Sequence, residues 1–113
     1  MYDVKVTEIA ERDILDAAIY IAHNLSNVVA ANRLLDESDV AAKSLSEFPM
    51  RHPLVNDDFL AAKGLRSLPV KKYLVFYVVR EDTNDVNVIR FIHSRRDWVK
   101  PFSESMFKDI TKF

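Results

Sequence analysis

The stretch Tyr73-Leu74-Val75-Phe76-Tyr77-Val78-Val79 constrains this chain more than any other. A strand sends successive side chains to opposite faces, so a run that is apolar at both sets of alternate positions needs cover on both sides. It reads as the central strand of a sheet, and its flanks supply neighbours. Leu65 to Val70 is strand-like but holds Pro69, which cannot donate to a ladder and marks an edge or a strand end. After the polar, turn-rich residues 80–85, Val86 to His93 resumes a strand, predicting an antiparallel hairpin with a loop longer than two residues. At the N-terminus Tyr2, Val4 and Val6 alternate with Asp3, Lys5 and Thr7, the pattern of one short strand with a single buried face.

Between the first strand and the rest lie two helical patterns. Ile14, Ala17, Ala18, Ile21 and Leu25 fall at helical spacing, with Thr7 placed to cap and Glu8 and Glu11 near the positive end of the helix dipole. Residues 24–27 form a tight connection in which Ser26 or Asn27 caps a second helix. Its apolar side holds Ala31, Leu34, Leu35, Ser38, Ala41, Ala42, Leu45 and Phe48, and Pro49 stops it. So short a connection makes the helices an antiparallel hairpin. Residues 49–64 show no sustained period and contain Pro49, Pro53 and the only glycine, Gly64, which predicts mostly loop. Phe102, Met106, Ile110 and Phe113 predict a short C-terminal amphipathic helix.

The order β-α-α-β-β-β-(α) gives an α+β fold. We expect an antiparallel sheet of about four strands with the helical hairpin on one face, the opposite face open and ringed by guanidinium groups near residues 66 and 96. At 113 residues and 49% hydrophobic content, residues 1–113 make a single domain with one modest core. No cysteine is present, so disulfides and thiolate metal sites are excluded. His23 and His52 are too widely spaced and lack the carboxylate pattern of a metal site, and no motif calls for a cofactor. No apolar run approaches the length of a membrane span, and the first residues lack a secretory pattern, so the expected location is the cytoplasm. Sixteen Lys plus Arg against seventeen Asp plus Glu leave a net charge of −1, so any anionic partner has to be met by a local patch.

That patch is suggested by "VIRFIHSRRDWV", residues 88–99, where the last strand runs into His93, Arg95 and Arg96. The cluster sits where the strand leaves the sheet, so its side chains can project beside the core instead of into it. Each residue also has a plain structural role open to it. His93 can be a hydrogen-bonded strand end, Arg96 can pair with Asp97, and Arg66 can hold a loop carbonyl. Lys71 and Lys72 can serve solubility in a turn.

The segments "AERDILDAAIYIAHNL", "KSLSEFP", "KGLRSLPVKKYLVFYVV" and "VNVIRFIHSRRDW", in this order and at these separations, resemble the RelE/ParE superfamily of type II toxin–antitoxin toxins. The resemblance covers nearly the whole chain to about Phe102. It implies a small growth-inhibiting protein in a hetero-oligomer with a cognate antitoxin encoded nearby, whose C-terminal segment wraps the toxin. The superfamily divides by target. ParE-like members poison DNA gyrase, and RelE-like members cleave mRNA on the ribosome.

By resemblance, Arg66, Lys71, Lys72, His93, Arg95 and Arg96 are the candidates for binding target or antitoxin. If the protein is a metal-independent ribonuclease, His93 is the acid or base, with Arg66 and Arg96 clamping the phosphate. Relatives that cleave RNA carry an arginine early in the central strand and a tyrosine near the C-terminus, where this chain aligns Leu74 and Phe102. The slightly acidic chain also departs from the strongly basic character of ribosome-docking relatives. Both departures favour the gyrase reading over the ribonuclease one. A third reading is an inactive member that only binds its antitoxin.

Overall fold

The computed structural model describes residues 1–102. Four strands, β1 (Asp3–Val6), β2 (Leu65–Val70), β3 (Tyr73–Arg80) and β4 (Asp85–His93), form one sheet in the order β1-β4-β3-β2. Helices α1 (Glu8–His23) and α2 (Val28–Ser44) follow β1, and a short α3 (Asp58–Ala62) precedes β2. The α+β class is as the sequence implied. The predicted helix beyond Phe102 lies outside the described residues.

The sheet differs from expectation in one pairing. β2–β3 and β3–β4 are antiparallel, but β1 joins β4 in parallel, with Val4 beside Val86 and Val6 beside Val88, so the sheet is mixed. Hairpin turns reverse direction, whereas β1 reaches β4 only after the helical hairpin has carried the chain back to the starting end. A bulge between Phe76 and Tyr77 shifts the β3–β4 register by one residue. Either side of it, Val75 pairs with Phe91 and Tyr77 with Val88, which keeps both pairs on the helix side.

Thr7 joins the first strand to the first helix. Its backbone N–H donates to Val88 O, its Oγ1 accepts from Ala10 N at 3.2 Å as the α1 cap, and the same Oγ1 donates to Ile89 O at 3.1 Å. Asn27 caps α2 in the same way, at 3.0 Å from Ala30 N. Removing the Thr7 hydroxyl deletes a cap and a link to β4. Thr7→Ala is therefore expected to lose about 2 kcal/mol in urea unfolding, while Thr7→Ser, which keeps the oxygen, stays near wild type.

The two faces of β3 enter separate cores. Val75 and Tyr77 pack with Val70, Val86, Val88 and Phe91 under Ala10, Leu34 and Leu45 of the helical layer. Phe76 and Val78 pack with Leu65, Ile89 and Ile92 beneath Val55, Leu60, Trp98 and Phe102. The expectation of an open second face is thus overturned. Phe76 is fully buried, with the Trp98 and Phe102 rings each 5.2 Å from it. The cover comes from Trp98 and Phe102 and from Val55 and Leu60, the last two within the stretch 49–64 that the sequence predicts as mostly loop. Asp57 caps the single long turn of α3, and Gly64 at φ +85° ends it and lets the chain turn into β2.

Candidate functional site

Past Val88 the outer border of β4 would be bare, because β1 ends at Val6. Asp13 on α1 takes over: Oδ2 accepts from Phe91 N at 3.0 Å, and the carboxylate grips Arg90 through Nε at 2.7 Å and Nη2 at 3.1 Å. Both side chains are largely buried, at 15% and 13% exposed. This carboxylate holds the end of β4 against α1 and so fixes where His93 emerges.

At that end the β2–β3 turn and the chain after β4 are joined by a hydrogen bond from Ser94 N to Lys72 O at 2.8 Å. His93 sits opposite Tyr73, edge to face at 5.1 Å, and Tyr73 stacks on Phe91 at 4.8 Å. Burial, and then the neighbouring Tyr20, push the Tyr73 hydroxyl above its ordinary pKa, so it stays a neutral donor at pH 7. Around them lies a cavity of about 510 Å³ between the α1–α2 turn and the sheet end. Its floor is apolar, from Ile21, Leu25, Leu34 and Tyr73, and its rim carries Arg33, Lys71, Lys72 and His93. Glu37, 3.7 Å from Lys71 Nζ, is the one acid among the described residues that lines it.

His93 Nδ1 accepts from Arg95 N at 3.2 Å, and His93 O accepts from Arg96 N at 3.0 Å. With Nδ1 occupied, the neutral ring presents Nε2–H, a donor suited to an anion and not a base for a ribose hydroxyl. The sequence candidates Lys71, Lys72, His93, Arg95 and Arg96 therefore share one end of the molecule. Arg33, which sequence reading missed, joins them because helix packing brings α2 over β2 and β3.

Arg66 does not join them. It pairs with Tyr77, four residues along β3 from the Tyr73–His93 pair, which puts it about 13 Å away along the strands and about 10 Å across them. Its Nη1 donates to His52 O at 2.7 Å and Met50 O at 3.3 Å, while Tyr77 Oη donates to Pro49 O. Burial pushes the Tyr77 pKa up to about 12, opposed by Arg66 and Arg51, so this donor is retained at any physiological pH. The arginine thus holds the segment after α2 onto the sheet, the loop-carbonyl role open to it in the sequence. A site ringed jointly by Arg66 and Arg96 does not form, because the ladder register separates them.

His52 is edge-on to Tyr77 at 6.4 Å, its buried Nε2 has no hydrogen-bond partner among the described residues, and burial followed by Arg51 lowers its pKa. The unfolded chain therefore binds the proton more readily, and stability should fall as pH drops from above about 6.5 toward the lower folded value. His52→Gln is expected to flatten that part of a stability-versus-pH profile measured by urea unfolding. Among the described residues no group of three or more His, Asp or Glu side chains is arranged to hold a metal ion, and no helix is long and apolar enough to cross a membrane.

Comparison with known families decides the identity. The family model described as "ParE toxin of type II toxin-antitoxin system, parDE" matches residues 4–98. The chain belongs to the ParE toxin family. That match takes in β1 from Val4 on, β2, β3 and β4, both long helices and the basic end of this ParE-family toxin up to Trp98. Among solved structures, the toxin–antitoxin complex RelBE2 from Mycobacterium tuberculosis contains a chain of the same fold. Identity is 20% and the TM-score 0.58, over 81% of this chain and 96% of that one. A search of curated proteins finds no match.

Proposed function

We propose that this ParE-family protein is a growth-inhibiting, plasmid-stabilising toxin that acts in the cytoplasm by poisoning DNA gyrase. An antitoxin encoded beside it holds it inactive in a hetero-oligomer. The observation that carries the gyrase reading is the fate of the two positions where RNA-cleaving relatives place polar groups. Leu74 and Phe102 both pack into the core behind Phe76, so neither offers a proton or a cation to a phosphate. The occupied Nδ1 of His93 and the commitment of Arg66 to loop carbonyls weigh the same way. What remains exposed is a binding surface and not an acid–base pair.

Purified toxin incubated with gyrase and supercoiled plasmid should inhibit supercoiling and trap cleaved DNA, and should leave mRNA intact in a translation extract. Cleaved mRNA with unaffected gyrase would reverse the assignment in favour of a ribosome-dependent nuclease. Unimpaired growth on induced expression would mark a member that binds only its antitoxin.

A further inference from the structure

We propose that the basic end of the sheet is a docking surface for the phosphate backbone of duplex DNA, so that the toxin touches the DNA of a gyrase–DNA complex directly; this rests on the gyrase reading above. The chain as a whole carries a net charge of −1, yet Arg33, Lys71, Lys72, Arg95 and Arg96 gather with His93 at one end. All five Lys and Arg side chains in this group are exposed. Lys71 meets Glu37, and no carboxylate among the described residues forms an ion pair with the other four. Elsewhere several cations are held in place, Arg90 by Asp13, Arg80 by Asp82, and Arg51 and Arg66 by loop carbonyls. Unneutralised cations on a slightly acidic protein form a local potential that attracts a polyanion without drawing the rest of the surface to it.

The β2–β3 turn adds a second observation. Lys71 is the first of its two residues and sits at φ +55°, a conformation for which Gly, Asn or Asp is the ordinary choice. The corresponding strain at the β3–β4 turn is borne by Asn84, at φ +57°, as turn chemistry dictates. A lysine held in the left-handed region puts a cation where turn stability alone would not place one. The Ser94–Lys72 hydrogen bond then fixes this turn beside residues 94–96, so cations from three separate segments present one rim. His93, with its Nε2–H free to donate, adds a hydrogen bond of the kind phosphate oxygens accept.

Fluorescence anisotropy of the full chain with a short labelled DNA duplex, across about 50 to 200 mM salt, tests this. Wild type should bind with an affinity that falls steeply with salt. The pairs Lys71→Gln with Lys72→Gln, and Arg95→Gln with Arg96→Gln, should each make the log–log slope shallower by about 2. Lys43→Gln, on the helix flank, should leave it unchanged. Lys71→Gly separates binding from folding: it should raise the melting temperature by relieving the turn while weakening DNA binding. A slope indifferent to both pairs, or no binding at about 50 mM salt, would overturn the surface. Capture of polyglutamate in place of DNA would also overturn it, assigning the rim to an acidic polypeptide. Because gyrase is absent from this measurement, DNA binding without gyrase inhibition would sink the target assignment alone, and gyrase poisoning without DNA binding would sink the surface alone.

Discussion

Asp13→Ala should unfold in urea about 3 kcal/mol more easily than wild type, the loss expected when one partner of a largely buried ion pair is removed. The size follows from what is left behind. Arg90 would keep its charge with little water to solvate it, and Phe91 N–H would lose the acceptor that stands in for a missing neighbour strand. Asp13→Asn should lose less, because its amide oxygen still accepts from Phe91 N while the charge-assisted contact to Arg90 is gone. The double variant Asp13→Ala with Arg90→Met should recover much of the loss, since an apolar pair strands no charge. If Asp13→Ala unfolds within about 0.5 kcal/mol of wild type, the carboxylate is a surface decoration and β4 is held some other way.

Phe76→Ala should be at least as damaging, at about 4 kcal/mol, the usual cost of emptying an aromatic site in a packed core. Phe76 lies at the centre of the second core, walled by Ile89, Ile92, Leu60 and the Trp98 ring. Its removal opens a void that the flanking strands cannot collapse into, because their other face is pinned beneath the helices. Trp98 is the chain's only tryptophan, so its emission reports the event directly and should shift to longer wavelength as water reaches the ring. Phe76→Leu should recover most of the stability. A substitution at two-thirds exposed Val40 should change stability by less than about 0.5 kcal/mol, giving the scale of an innocuous change.

Much of this architecture was legible because local chemistry and global fold agree. The doubly apolar run at 73–79 became a central strand buried on both faces, Pro69 fell on an edge strand, and Thr7 and Asn27 became caps. The failures share a cause. α3 is only five residues long, too short for a period to show, although Asp57 before it and Gly64 after it are the punctuation of a helix. The parallel seating of β1 depends on where the helical hairpin delivers the chain, which no local pattern encodes.

The candidate site divides the same way. That Lys71, Lys72, His93, Arg95 and Arg96 share one end could be read from the sequence, because they are near in sequence or flank paired strands. Arg33 was invisible until α2 was packed, and Arg66 was misgrouped because strand register, not sequence distance, decides which guanidinium reaches which end. The expectation of an open sheet face conflicted with the doubly apolar character of β3, and the composition of that strand was the better guide.

The β2 border has a consequence for how partners attach. Leu65 O is already taken by Val55 N, Leu54 bridges Arg66, and Pro69 has no N–H to offer. The border is therefore a poor template for an incoming extended peptide. A polypeptide that binds here must grip through side chains, and concentrated protein is guarded at this edge against stacking sheet to sheet into fibres.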